Sequence, residues 1–314
     1  MIKVDVVSGF LGAGKTTLIK KLLKVYEKER VVLIENEFGE IGIDGDIIER
    51  EGFQVFEISS GCICCIMKKD FVTVLHRVIK EFNPERIIIE PTGLSILSEI
   101  IDILKSGEAA ESCAINSLIT VIDSLNCLEQ CEAFGEFFED QIINAETLIL
   151  SKTDMAEDNI RSQVVSSLRQ MNPRARLIDS PWNELAVIEI EGLLGETINL
   201  DFKELHYTEY KPCSENEFMT VGIETAQRFT KQELEDVLSK LKDLTYGEVL
   251  RGKGFLKAEK AFLEFSYTNG QFMVTENDHK SSGKLCIIGK NLNTEKLKEL
   301  FKANKGGIFN WLKF

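Results

Sequence analysis

Residues Gly9-Phe10-Leu11-Gly12-Ala13-Gly14-Lys15-Thr16 fit the pattern G-x-x-x-x-G-K-[ST], whose chemistry is phosphate binding. Glycines let the backbone wrap closely around phosphate oxygens and aim its N–H groups at them, and the start of a following helix adds its positive end. Lys15 would reach the β- and γ-phosphates of a nucleotide, and the Thr16 hydroxyl would bind Mg²⁺. Gly9, Gly12, Ala13, Gly14 and Thr17 complete the expected cradle.

Two further segments extend this chemistry. Arg86-Ile87-Ile88-Ile89-Glu90-Pro91-Thr92-Gly93 is an apolar run ending in a carboxylate and a turn. There Glu90 would hold the water shell of the Mg²⁺, and the Gly93 amide would sense the γ-phosphate. Leu148-Ile149-Leu150-Ser151-Lys152-Thr153-Asp154 is near the guanine-reading pattern N-K-x-D, with Ser151 in place of Asn. Asp154 would accept from the N1–H and 2-amino groups of guanine, and Lys152 would lay its stem over the purine. Adenine offers Asp154 no such pair of donors, so GTP is expected over ATP.

The cysteines suggest a different chemistry. Cys62, Cys64 and Cys65 form a C-x-C-C triplet that can converge on a soft or borderline cation such as Zn²⁺, Cu(I), Co²⁺ or Ni²⁺. Glu37, Glu40 or water could supply the fourth ligand. The alternative is three buried or redox-sensitive thiols. Cys127 and Cys131 sit one helical turn apart among acidic residues and read as core-facing thiols of an amphipathic helix, with a second metal site as the lesser alternative, while Cys113, Cys213 and Cys286 are isolated.

These residues need a scaffold. The 314 residues divide into an expected nucleotide-binding part (1–195), a linker containing Pro212 (196–216) and a C-terminal part (217–314). In the first part, short β-branched runs alternate with amphipathic stretches, the pattern of β-α units on a parallel sheet flanked by helices. Strands are expected at Ile2–Val7, Val31–Glu35, Val55–Ile58, Arg86–Glu90, Ser117–Ile122, Glu146–Leu150 and Arg176–Asp179. Helices are expected at Thr16–Glu29, Phe71–Phe82, Leu94–Leu104 and Asn159–Gln170. The last part reads as a small α+β domain. Its strands are expected at Phe218–Glu224, Val249–Leu256, Ala261–Tyr267, Gln271–Thr275 and Leu285–Gly289, with helices at Thr230–Leu244 and Thr294–Lys302. Thr230 and Glu233 would form a capping box, and Asn269-Gly270 a tight hairpin.

Composition excludes several classes. Residues 1–200 hold 34 of the 51 acidic residues and only 19 of the 37 basic ones, and the net charge is −14. Such a surface argues against nonspecific nucleic-acid binding. No apolar run approaches the roughly 18 residues of a membrane span. The first residues enter a strand pattern without a signal-peptide core, so no membrane association and a cytoplasmic location with reduced cysteines are expected.

Taken in order, G-F-L-G-A-G-K-T-T, E-N-E-F-G-E-I-G-I-D, G-C-I-C-C, E-P-T-G and S-K-T-D resemble the CobW-type P-loop GTPases, relatives of the GTPases that assist nickel insertion into hydrogenase and urease. Leu250-Arg251-Gly252-Lys253-Gly254-Phe255 looks like the R-x-K-G-F stretch of that family's C-terminal domain, so nearly the whole chain is covered. The resemblance implies slow, metal-responsive GTP hydrolysis and delivery of a metal, or a metal-containing cofactor, to a client protein. It also favours metal binding at Cys62, Cys64 and Cys65. The His-rich segment of many zinc-related members is absent. The expected cycle is a switch: residues 37–44 and the Glu90–Gly93 turn close around the γ-phosphate, with the metal on the cysteines between them in sequence. The C-terminal domain is left for client recognition or for homodimer formation. Two other readings stand beside this one. One is a GTP-dependent chaperone of a corrinoid or other cofactor enzyme without metal transfer. The other is a small-molecule kinase, for which the chain lacks a lid-like arginine cluster.

Overall fold

A computed structural model describes residues 1–10, 12–35, 54–57, 67–93, 95–182, 190, 219–259, 261–277 and 283–302. The chain divides into two compact units. The first is built on seven strands: β1 (Ile2–Gly9), β2 (Val31–Glu35), β3 (Gln54–Glu57), β4 (Arg86–Glu90), β5 (Cys113–Asp123), β6 (Thr147–Ser151) and β7 (Arg176–Ile178). They pair in parallel in the order β3-β2-β4-β1-β5-β6-β7. Around them run helices α1 (Lys15–Val25), α2 (Met67–Phe82), α3 (Leu97–Leu104), α4 (Gly107–Ser112), α5 (Cys127–Phe134), α6 (Glu136–Ile143) and α7 (Asp158–Met171).

The strands are apolar at nearly every position because the sheet is covered on both faces. Alternation then sorts the side chains. Val4, Val6, Ile87 and Ile89 pack with Leu75 of α2 and Ile101 of α3 in one core. Val7 and Ile88 point the other way, to Leu18 and Leu22 of α1 and to Trp182. Among the described residues no helix is long and apolar enough to cross a membrane.

The second unit is a five-stranded antiparallel sheet, β11-β10-β9-β12-β8, made of β8 (Met219–Glu224), β9 (Glu248–Lys257), β10 (Phe262–Thr268), β11 (Gln271–Asn277) and β12 (Lys284–Lys290). Helices α8 (Lys231–Lys240) and α9 (Thr294–Leu300) cover its apolar face, where Leu238 and Leu297 join Phe265 and Tyr267. The expected capping box is present at α8, where the Glu233 N–H donates to Thr230 Oγ1 at 3.2 Å and the Thr230 N–H to Glu233 Oε2 at 2.8 Å. Asn269 and Gly270, at φ 44° and 83°, form the expected two-residue hairpin between Thr268 and Gln271.

Several boundaries move for local reasons. Helix α1 stops at Val25, not Glu29, because Tyr26 and Glu29 turn to meet the guanidinium of Arg86. Helix α3 begins at Leu97 and not at Leu94, since Ser95 is engaged in a turn with Thr92. Helix α2 starts at Met67, ahead of the expected Phe71. Helix α8 ends at Lys240, not Leu244, where Asp243 caps a separate 3-10 turn by accepting from the Thr245 N–H at 2.8 Å. Strand β5 starts at Cys113 instead of Ser117, and the other strand ends shift by a residue or two. Helices α4 and α6 lie outside the expected set.

The glycine of R-x-K-G-F has a structural explanation. Gly254 lies on the core face of β9, where an added Cβ would stand 2.5 Å from the Leu285 Cβ and 2.7 Å from the Lys284 carbonyl oxygen. Two of its three close neighbours are backbone atoms of the paired strand and cannot swing aside. Gly254→Ala is expected to destabilise this unit by about 1–3 kcal/mol, the usual cost of overpacking. Urea unfolding checks it, and an unchanged midpoint would contradict this reading of the motif.

Candidate functional site

In an open parallel sheet, ligands bind beyond the carboxyl ends of the strands. In this sheet those ends are polar. Glu35 of β2 and Glu90 of β4 are register partners, as are Asp123 of β5 and Ser151 of β6, and all four are buried. Between these pairs β1 ends at Gly9 and opens into the loop that precedes α1.

That loop is shaped by its glycines. Gly9, Gly12 and Gly14 have φ of 141°, 75° and 103°. A Cβ on Gly9 would also stand 2.4 Å from the Val121 carbonyl oxygen of β5, so only glycine lets the strand leave the sheet there. Helix α1 starts from Gly14 with no side-chain cap and no acidic residue in its first turn. Its first N–H groups and its positive end thus suit an anion. Phe10 anchors the loop from below, its ring 4.3 Å from that of Phe134 and 5.9 Å from that of Phe138.

The expected phosphate and Mg²⁺ residues meet here. Lys15 is buried, donates to the Phe10 carbonyl at 3.3 Å and stands 3.8 Å from Glu90 Oε1. Ala13 is buried, Thr16 half-buried and Thr17 exposed. The Glu90 carboxylate at the end of β4 and the Thr16 hydroxyl in the first turn of α1 are hard oxygen donors of the type Mg²⁺ takes. Gly93 is buried in the turn after β4, and its carbonyl accepts from Gln141 Nε2 at 3.1 Å.

The expected base-reading residues stand next to the loop. Ser151 lies against Gly14, its Cβ 3.7 Å from where a Gly14 Cβ would be, and its hydroxyl donates to the Ile122 carbonyl at 3.2 Å. The serine thus faces the phosphate loop and β5. Lys152 adopts φ 56° and bonds through Nζ to Asp123 Oδ2 at 2.6 Å. Asp123 also accepts from the Leu125 N–H and from Asn126 Nδ2, which fixes its carboxylate. Asp154 is exposed at the mouth of the same turn.

Asp123 is a partner the sequence reading missed, although it carries the signal that singled out Glu90, an acid closing a buried apolar strand. Glu37, Glu40, Cys62, Cys64 and Cys65 lie outside the described residues. Among the described residues no group of three His, Cys, Asp or Glu side chains could hold a metal ion. Cys127 is buried and hydrogen-bonded to Cys131, which together with burial pushes its thiol pKa up. Such a thiol is less ready to ionise and bind metal.

Residues 3–179 match the family described as CobW/HypB/UreG, nucleotide-binding domain, and residues 218–305 match the cobalamin synthesis protein cobW C-terminal domain. The chain belongs to the CobW/HypB/UreG family. Among its relatives, the zinc chaperone CobW of Pseudomonas aeruginosa is 29% identical over 66% of this chain. The zinc chaperone YjiA of Escherichia coli is 25% identical over 96% of it. The matches span 64% of the first relative's own length and 98% of the second's. The crystal structure of the Zn(II)-bound YjiA GTPase from E. coli aligns over 96% of this chain and 98% of its own, at 22% identity and a TM-score of 0.47. For a CobW/HypB/UreG chain, the sheet and loop described above are the nucleotide-binding domain, and the antiparallel sheet is the C-terminal one.

Proposed function

We propose that this chain is a Mg²⁺-dependent GTP hydrolase that hands a transition metal, zinc foremost, to a client metalloprotein. One observation carries the reading: the uncapped start of α1 and Lys15 lie beside Glu90 at the end of the neighbouring strand, with Ser151–Asp154 next to them. The loop N–H groups of Gly12, Ala13 and Gly14 would bind the phosphates, with Lys15 turning from Glu90 to the β- and γ-oxygens. Thr16 and Glu90 would hold the Mg²⁺, whose charge offsets that of the transferred phosphoryl group. Asp154 would select guanine, Lys152 would cover the base, and Ser151 would keep the base loop seated on the phosphate loop. The relatives named zinc chaperones support zinc as the cargo. Cys62, Cys64 and Cys65, with Glu37 or Glu40, are its proposed ligands, and Co²⁺ is a suitable probe for it.

In this reading residues 1–195 form the GTPase, 196–216 the linker and 217–314 the client-binding or dimerising part of a cytoplasmic protein. Nucleotide state changes the metal's affinity because the segments that close on the γ-phosphate flank the cysteines in sequence.

The experiment has two arms on the full chain. Phosphate release should need Mg²⁺ and favour GTP over ATP by at least about tenfold, since each hydrogen bond to a charged group contributes about 1.5–3 kcal/mol. Anaerobic Co²⁺ titration of the reduced protein should give a thiolate-to-cobalt band that Cys64→Ala removes. A non-hydrolysable GTP analogue should shift its affinity. Equal rates with both nucleotides would overturn the guanine assignment. Absence of the band in both nucleotide states would overturn the metal site and leave a chaperone whose cargo is not a thiolate-bound metal.

A further inference from the structure

The turn after β4 is held from behind by helix α6, through two neighbouring residues. Gln141, buried on α6, donates from Nε2 to the carbonyls of Gly93 at 3.1 Å and Ser95 at 2.9 Å. Asp140 accepts the Ser98 N–H at 3.1 Å and so supplies the start of α3 with a cap that Ile96 cannot give. Burial pushes the Asp140 carboxyl pKa up, while bonds from Ser98, Leu97 and Asn144 oppose the rise. The backbone of Gln141 is pinned in turn, its carbonyl accepting from Thr120 Oγ1 at 2.7 Å. Within the turn, the Thr92 and Ser95 hydroxyls are 2.9 Å apart.

The amide of Gln141 is not explained by packing. Its Oε1 is buried without a hydrogen-bond partner among the described residues, a cost that an apolar side chain of the same length would not carry. What an apolar side chain could not do is hold two carbonyls of one turn at once. Helix α6 also reaches the other half of the site, since its Phe138, together with Phe134 of α5, packs against Phe10 of the phosphate loop. Helix α6 therefore touches both walls of the proposed γ-phosphate pocket.

We propose that Gln141 is a positioning residue for γ-phosphate recognition, fixing the Gly93 and Ser95 carbonyls so that the Gly93 amide is aimed at the nucleotide. The inference rests on the GTPase reading of this site and deepens it, naming what makes the pocket discriminate the triphosphate from the diphosphate. Gln141 contacts neither phosphate nor metal itself, and its effect passes through the turn.

The test compares wild type with Gln141→Met, which keeps the length of the side chain and removes its donors. Affinities for GDP and for a non-hydrolysable GTP analogue are measured by calorimetry, and GTP hydrolysis is followed at saturating substrate. GDP affinity should stay within about twofold, while analogue affinity and kcat each fall by about tenfold, the weight of one or two buried hydrogen bonds. An equal loss for both nucleotides would make Gln141 merely structural and overturn the proposal, as would no loss for either. If Gln141→Met does not unfold cooperatively, the same readings are made on Gln141→Asn, whose amide keeps its donors one methylene short of the turn. The smaller variant should move the same ratio in the same direction. Wild type that binds neither nucleotide would bring down the GTPase reading and the proposal with it. Wild type that binds both and a variant that matches it would bring down the proposal alone.

Discussion

Replacing Lys15 with alanine is expected to lower kcat/KM for GTP hydrolysis by about 10²–10³, the loss that follows removal of one preorganised group from a site of developing negative charge. The ammonium is buried, and its neighbours are the Phe10 carbonyl and Glu90. It therefore stands at the phosphate loop before any nucleotide arrives. Lys15→Arg keeps the charge but not the compact shape that fits under the loop, so it should recover only part of the rate. Initial-rate measurements on both variants decide the matter, with unfolding curves to establish that each is native. Alanine at wild-type rate would remove the phosphate loop from the mechanism.

The second large effect is on stability. At the opposite end of β1 and β4, Arg86 donates to the buried Asp5 and to Glu29, at 2.8 and 3.2 Å for Glu29, and lies 3.6 Å above the ring of Tyr26. Asp5 also accepts from Asn116 Nδ2 and Ser117 Oγ, both at 2.6 Å. Arg86→Met would leave Asp5 charged, buried and without its cation, at a cost of about 3–5 kcal/mol. Urea unfolding followed by Trp182 fluorescence in a Trp311→Phe background reads this unit alone. Adding Asp5→Asn should restore a large share of the loss, because the stranded charge goes with it. The hydrogen bond from Arg86 holds the Glu29 carboxyl below the usual range, ahead of an opposing desolvation. Its stabilising contribution is therefore full above the ordinary Glu pKa and is lost as pH falls through the lowered one. Arg86→Met should flatten that acid limb. A loss under about 1 kcal/mol would mean that water reaches Asp5 and replaces the ion pair.

Much of this could be read from the chain because its signals are local. The phosphate loop declares itself by glycines between an apolar strand and an amphipathic helix, and the Asn269-Gly270 hairpin by the two positive φ angles it needs. Glu90 is legible as an acid closing a buried strand. Asp123 does the same and is not legible, because nothing near it in sequence announces Lys152 as its partner. Gln141 gives no sequence signal at all, being one polar residue on a short helix whose two acceptors lie on the far side of β5 in the chain. Helix ends failed for a related reason: Tyr26, Ser95 and Asp243 leave their helices to satisfy contacts that spacing alone does not encode.

The strand order also bears on how the protein comes into being. Strand β1, made well before either of the strands it pairs with, ends up in the middle of its sheet, with Lys3 opposite Arg86 and Ile2 opposite Cys113. Neither neighbour exists until a long stretch of chain has followed, and closing loops of that length must precede any reward from pairing. Val4, Val6 and Val7, all fully buried in the finished fold, therefore spend the early life of the nascent chain without the partners that will cover them. The meander β9-β10-β11 pairs each strand with the next as it is made. The half of the molecule that is begun first is the half whose assembly depends on the longest wait, and it is there that a chaperone at the ribosome would have most to protect.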